Sequence, residues 1–318
     1  MSRNLTLLTF SLILLTYKLT CASAGGPGWN YHEGEAGGPD EWHVNFTDCG
    51  GVMQSPIDII TEEAVYSPIL PYFDFTNYRT TRGVNLTLIN LGGHTAEVLY
   101  QGAPIYLQGG GLPAEYKLIQ FHFHWGAEDK VGSEHFIDGE HFPMELHLVH
   151  QQKTLANLSV AEKHPFGLAV LGFFFQVSEK NNTELEPLLK YFNQIALPDA
   201  KIHLDTFPLI DMLPENFRKL DFYRYYGSLT TPPCYETVIW SLATEYIKIS
   251  ESQLNVFRGL YESKDIHLVN DFRPVQPLNK RIVITTKNSS KNSSAQPSTR
   301  PLFLCLSLVL AWTYCRMP

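Results

Sequence analysis

His122 and His124 stand one residue apart inside the apolar run QFHFHWG, and the triplet Ser133-Glu134-His135 follows shortly after. Side chains alternate faces along a strand. The two histidines therefore share one face, and Phe121, Phe123 and Trp125 share the other. An unpaired polar group in a core costs on the order of 2–7 kcal/mol on transfer scales, so two buried imidazoles need partners. A shared metal ion satisfies both. A third imidazole comes from MELHLVH, where Glu145, His147 and Val149 line one face and Leu146, Leu148 and His150 the other. Three imidazoles on two rigid strands suit tetrahedral zinc with its fourth position open, the arrangement of catalytic rather than structural zinc. Gln120 and Glu145 lie on the same faces, where they can accept the outer ring protons of ligand histidines.

Spacing alone leaves other readings open. A His-x-His pair can simply pack in a strand. His122, His124 and Glu128 also show the spacing of a cupin metal site. However, Tyr116 stands where a cupin needs glycine, and Pro143-Met144-Glu145 where it needs Pro-x-Gly. The helical zinc-protease pattern His-Glu-x-x-His is absent.

The elements that must hold these residues are mostly strands. GVNLTLINL alternates Val84, Leu86 and Leu88 against Asn85 and Thr87, and YKLIQFHFHW, MELHLVH, GLAVLGFFFQV and YETVIWSL are short apolar or alternating runs bounded by turn residues. They follow one another without a helix after each, which favours a large, mostly antiparallel sheet. Helix signals are few. SESQLNVFRGLY carries a capping box at Ser250 and Gln253 with Leu254, Phe257 and Tyr261 as its apolar stripe, and TELEPLLKYFNQI puts Leu185, Leu188, Leu189 and Phe192 on one face. The expectation is one β-dominated mixed α/β domain over residues 25–287 with short peripheral helices. An irregular Gly/Pro-rich arm at its start is tied down by Trp29, Tyr31 and Trp42.

Both ends of the 318-residue chain read as processed segments. Arg3, an apolar run and Ala22–Ala24 fit a secretory signal over 1–24, and the run is short for a membrane span of about 20 residues. Residues 288–318 order small residues, a polar spacer and a greasy tail as a glycosylphosphatidylinositol-anchor signal does. The expected location is the cell surface or the extracellular space. Cys21, Cys305 and Cys315 fall in the removable segments, leaving Cys49 and Cys234 as the candidate disulfide of an oxidising compartment. Asn45, Asn85, Asn157 and Asn181 head glycosylation triplets, as do Asn288 and Asn292. A net charge of −8 without long basic runs argues against nucleic acid as a partner.

QFHFHWG, GSEHFIDGE, ELHLVH and YGSLTTPPC, flanked by QSPIDI and RPVQPLN, together closely resemble the α-class carbonic anhydrases. The matching blocks keep the family's order from about Trp29 to Ile284. The signal, the single cysteine pair, the tail, GGGLPAEY and DGEHF are similar to its extracellular, membrane-anchored members. The resemblance implies a large twisted sheet with zinc at the floor of a conical cavity and carbon dioxide and bicarbonate as the small-molecule partners. It assigns His122, His124 and His147 as zinc ligands, supported by Gln120, by Glu145 and by a backbone carbonyl near Asp271.

The resemblance further implies that Thr230 orients the attacking hydroxide by donating its own proton to Glu134. Val149, Val170, Leu229, Val238 and Trp240 would form the dry wall beside carbon dioxide, with Thr231 beside departing bicarbonate. His94 falls at the proton-shuttle position and Tyr31 on the water chain. The chain departs from the family's usual pattern at Gly92 and Glu97, where asparagines are common, and Glu97 is expected to keep His94 protonated longer or to reorganise cavity water. The rival reading, a catalytically weak binding module of the same fold, would be expected to lack a zinc ligand, and none is missing.

Overall fold

The computed structural model describes residues 28–75 and 77–288. The expected signal over 1–24, the tail beyond Asn288 and the triplet at Asn292 lie outside these residues. A 13-stranded sheet dominates what is described. Its main path runs from the edge strand Lys201–Leu204 through Val84–Leu91, Thr95–Gly102, Tyr116–Trp125, Met144–Gln152, Leu168–Ser178, Val238–Ala243 and Phe222–Gly227 to the short pieces Ile284–Thr285 and Val65–Tyr66. Most neighbours are antiparallel. Leu168–Ser178 pairs in parallel with Val238–Ala243 and with Ile247–Ser250, and Ile284–Thr285 does so with Val65–Tyr66. The β-dominated architecture with small peripheral helices is the one expected.

The two sheet faces do different work. One carries the principal core, in which Phe121, Phe123, Trp125, Leu146 and Leu148 are fully buried among residues from nearly every element. The other carries a second apolar cluster built around Val149, Val170, Val238 and Trp240. In the strand Tyr116–Trp125, Tyr116 and Leu118 face the principal core, so strict alternation would send Gln120, His122 and His124 there too. A register irregularity between Leu118 and Gln120 prevents this. One extra residue reverses the parity of everything after it, and the three even-numbered polar residues turn to the opposite face.

Helix Glu251–Arg258 starts at the expected capping box, in which the Ser250 side chain accepts from Gln253 N and Gln253 reaches back to Ser250 N. Leu254 and Phe257 are buried as expected, but Tyr261 is not part of the helix. The helix ends at Gly259, and Tyr261 opens the strand Tyr261–Ser263, its ring stacked on His267. TELEPLLKYFNQI forms short turns rather than one helix: Thr183–Leu185, Glu186–Leu189 and Phe192–Gln194. The expected residues are still buried, because what docks is the apolar spacing.

At the start of the domain, Trp42 donates its indole N–H to Asn30 O and Gly37 O, and packs with Trp29, Tyr31 and Phe46 around a disulfide between Cys49 and Cys234. The arm is thus fastened to the loop that follows Thr230. Closing a loop across 185 residues restricts the unfolded chain strongly. We expect Cys49→Ser to lower stability by about 2–5 kcal/mol, read as a drop in urea midpoint without reductant; an unchanged midpoint would contradict the restraint.

On the core face, His150 donates from Nδ1 to Ala169 O and accepts from the Tyr78 hydroxyl at Nε2. Burial lowers its pKa to about 4, against an ordinary 6.5. The unfolded chain therefore takes up this proton first as pH falls. Stability from the neutral ring is complete above pH 6.5 and is lost on acidification toward pH 4, by on the order of 3 kcal/mol. Urea melts at stepped pH should show this loss, and His150→Gln should shallow the slope between pH 6.5 and 4.

Candidate metal centre

Register places His122 opposite His147, with Glu97 beside His122 on the other flank. Opposed residues share a sheet face, so the two ring systems meet directly, and His124 lies further along the same face. The ring centroids of His122, His124 and His147 stand 4.7–5.1 Å apart.

Each ring is aimed by the nitrogen that points away. His122 Nδ1 lies 2.8 Å from Gln120 Oε1, His124 Nδ1 2.6 Å from Asp271 O, and His147 Nε2 2.8 Å from Glu145 Oε1. An amide oxygen, a carbonyl and a carboxylate are all acceptors here, so each outer nitrogen carries the proton. His122 Nε2, His124 Nε2 and His147 Nδ1 are left as inward lone pairs. His124 Nε2 is buried without a hydrogen-bond partner among the described residues. A metal ion answers that deficit. Tetrahedral zinc with bonds of about 2.0–2.1 Å needs nitrogens roughly 3.3 Å apart, and His122 Nε2 and His147 Nδ1 stand 3.2 Å apart. Donor chemistry and spacing both fit.

Burial pushes the imidazolium forms of His122 and His124 down, and the neighbouring rings add to this. Both are therefore held neutral, as ligation requires. Glu145 is fully buried yet ionised. Burial alone would raise its carboxyl, but His135 and His147 hold it well below the usual range. Its Oε2 accepts from Glu134 N and His135 N, and its Oε1 from the rings of His135 and His147. Gly172, opposite His147, makes room for this carboxylate: a Cβ there would come within 3.2 Å of Glu145 Oε1 and 2.4 Å of Leu242.

His135, quoted within GSEHF but given no role from sequence, continues the network. With Nδ1 donating to Glu145, its Nε2 accepts from the Tyr225 hydroxyl at 2.6 Å, and Tyr225 lies 2.8 Å from Ser55 Oγ. Ser55 belongs to QSPIDI; with the Tyr225 hydrogen given to His135, its hydroxyl donates to Tyr225 while accepting from Ser228 N. Arg273, from RPVQPLN, donates to Gln54 Oε1, Ser55 O and Cys49 O. These partners come from distant blocks, and no local spacing announces them.

Glu134 Oε1 accepts from Arg273 N, while Oε2 has no hydrogen-bond partner among the described residues and lies 3.5 Å from His124 Nε2 and 4.0 Å from His147 Nδ1. The expected hydrogen bond from Thr230 to Glu134 is not formed among the described residues: Thr230 is buried, but Glu134 Oε1 accepts from Arg273 N and its Oε2 from no donor. Its anticipated acceptor oxygen points to the histidines instead. Thr231 is half-buried, and its carbonyl accepts from Cys234 N.

Val149, Val170, Val238 and Trp240, with Leu229 against them, form one wall, and the Trp240 ring lies 4.8 Å from that of His147. His94 stacks flat on Trp29 at 3.9 Å, with Tyr31 at 6.2 Å. Burial lowers the pKa of His94, while Glu262 and Asp199 oppose it. The acid expected to act on His94 was Glu97, yet those two are the acids that do. Burial lifts Glu97 itself to about 7, beside His122. Asn45, Asn85, Asn157 and Asn181 are all exposed.

The profile of the eukaryotic-type carbonic anhydrases matches residues 37–287. Carbonic anhydrase 7 of Homo sapiens is 38% identical over 266 residues, covering 81% of this chain and 97% of its own length. Carbonic anhydrase 4 of Rattus norvegicus is 34% identical over 306 residues, covering 93% and 97%, and carbonic anhydrase 3 of Bos taurus is 36% identical over 261 residues, covering 80% and 96%.

The aiming bonds should be measurable as metal affinity. Zinc titrated against a competing chelator should bind one-to-one. Glu145→Ala should weaken it by roughly 10–100-fold, the usual effect of removing a partner of a ligand histidine, and His147→Ala should abolish stoichiometric binding. Undiminished affinity in both would refute the assignment.

Proposed function

The chain belongs to the eukaryotic-type carbonic anhydrase family, and from that we propose that it catalyses the reversible hydration of carbon dioxide with zinc held by His122, His124 and His147. The observation that carries this reading is the inward convergence of three imidazole lone pairs, each enforced by a fixed acceptor on the far side of its ring. When bound, the ion supplies Lewis acidity that makes a water molecule nucleophilic near neutral pH, the behaviour for which carbonic anhydrase is itself the standard example.

The remaining work falls to side chains. Gln120, the Asp271 carbonyl and Glu145 keep the rings from rotating or taking up protons. Glu134, anchored through Oε1 by Arg273 N, presents Oε2 as the acceptor toward which Thr230 would turn its hydroxyl hydrogen. A hydroxyl that donates in this direction has only its lone pairs left, so it would accept from the O–H of the nucleophile and turn that oxygen's own lone pair toward carbon dioxide. Val149, Val170, Leu229, Val238 and Trp240 give uncharged carbon dioxide a dry surface, while Thr231 lies where bicarbonate leaves. His94, at the mouth, takes up the released proton, since an imidazole titrates near the working pH.

We place the protein outside the cell, tethered by a lipid at its C-terminus. The formed Cys49–Cys234 disulfide, the four exposed glycosylation triplets and a match to carbonic anhydrase 4 over 93% of the chain support this. Release from cells by a phosphatidylinositol-specific phospholipase tests the tether.

A stopped-flow assay with a pH indicator, together with zinc analysis, tests the activity. His94→Ala should slow turnover chiefly in weak buffer and leave kcat/KM near its original value, with imidazole restoring the rate. Zinc at full occupancy without hydration would favour a binding module of the same fold.

A further inference from the structure

The main sheet path ends at Val65–Tyr66, and both residues of this edge strand are exposed. Ile60 and Ile282, 40% and 51% exposed, join Val65 and Leu278 in lining one shallow groove beside it. Ile69, two positions after Ser67, is 81% exposed. Single exposed apolar side chains mean little, but several gathered on one sheet edge mark a contact surface. None of them belongs to the metal centre or its supports. The chain also leaves the domain here: Val65 N donates to Val283 O and Ser67 N to Thr285 O, and the described residues end at Asn288.

We propose that this edge rests on the outer leaflet of the membrane, with Ile60, Val65, Tyr66 and Ile282 set among the lipid headgroups. The proposal rests on the C-terminal lipid tether proposed above. The expected attachment site falls within residues 289–295, at most seven residues beyond Asn288, and seven extended residues span no more than about 25 Å. So short a leash keeps the exit edge close to the bilayer. It also makes the contact intramolecular, at an effective concentration in the millimolar range, so that a few apolar side chains suffice. They do not suffice for a second copy of the chain, because stable association takes about 800 Å² per partner. Charge points the same way. Exposed Glu62 and Glu63 before Val65 are matched in number by exposed Lys280 and Lys287 on either side of Ile282, while the Arg281 guanidinium is spent on the carbonyls of Pro277, Tyr226 and Leu278. Balanced charge suits a zwitterionic phosphatidylcholine surface and offers no field to a strongly acidic or basic partner.

Alternation sends Val65 and Tyr66 to opposite sides of the strand, so an edge-on approach brings both to the surface at once. Val65 pairs with Ile284 on the groove side. Tyr66 places an aromatic ring with a polar tip at headgroup depth, where tyrosine is favoured. The open backbone groups of the edge stay among hydrated headgroups, because in hydrocarbon they would go unsatisfied. The contact is therefore interfacial and shallow.

The test uses the anchored protein in cell membranes doped with phosphatidylcholine that carries a nitroxide on its acyl chain. A fluorophore on Ile282→Cys should be quenched several-fold more than one on Lys201→Cys, in the edge strand at the far end of the sheet path. Adding Ile60→Asp and Val65→Asp to Ile282→Cys should bring quenching down to the Lys201→Cys level, with circular dichroism unchanged as the check on folding. Equal quenching at the two positions would overturn the proposal, as would quenching that the aspartates leave in place. A dimer of the phospholipase-released protein that sediments as a monomer in Ile282→Asp would overturn it in favour of a second copy of the chain. Protein that stays on the membrane after phospholipase treatment would sink the lipid tether alone, and the quenching contrast would still decide the edge. Protein found only in the medium would sink both.

Discussion

The arrangement depends on one buried anion. Glu145 has no exposure and would normally be driven to its neutral form. It remains charged because four donors reach it: two backbone N–H groups and two imidazole N–H groups. Each donor imposes a constraint elsewhere. The backbone pair fixes the peptide that carries Glu134, whose Oε2 lies 3.5 Å from His124 Nε2. The His147 bond leaves that ring's Nδ1 as a lone pair at the centre, and the His135 bond ties in Tyr225 and Ser55. A neutral glutamine at this position could accept at only one oxygen. Its NH2 would confront donors, leaving buried hydrogen-bond needs unmet at a cost of about 1–3 kcal/mol each.

Why the histidines face this anion at all is a matter of parity. The strand Tyr116–Trp125 enters with even-numbered residues in the core and leaves with odd-numbered ones there. The irregularity near Ile119 is therefore as necessary to the centre as the histidines are. Without it, three polar side chains would enter an apolar core and three large aromatics the cavity. Alternation within FHFHW correctly assigns relative faces, but it cannot report that the face changes identity upstream, because a bulge has no obligatory residue type.

That division describes what the sequence discloses more generally. His122, His124, His147, Gln120 and Glu145 were readable because their relation is local: alternation along one strand and pairing with the next. Leu254 and Phe257 were readable for the same reason, as was the capping box before them. Tyr261 was misread because its spacing continues the helical stripe past Gly259, where the backbone stops being helical. The His135–Tyr225–Ser55 line and the grip of Arg273 on Gln54 were not readable. Each joins blocks 90 or more residues apart, and a hydroxyl or guanidinium in isolation does not state its partner. Thr230 shows the reverse case, since the family resemblance gave it a partner that it does not contact in this arrangement.

Those long-range bonds also tie the centre to the surrounding fold. Arg273 N holds Glu134, and the Arg273 guanidinium holds Gln54, Ser55 and the carbonyl of Cys49. Cys49 is bonded in turn to Cys234, in the loop that follows Thr230 and Thr231. A displacement of the arm is therefore transmitted through a short chain of rigid contacts to the Glu134 carboxylate on one side and the Thr230 loop on the other. Neither segment has regular secondary structure to stiffen it. Their rigidity comes from being tied to each other, so the Glu134 carboxylate and the Thr230 loop are both positioned by a disulfide and an arginine.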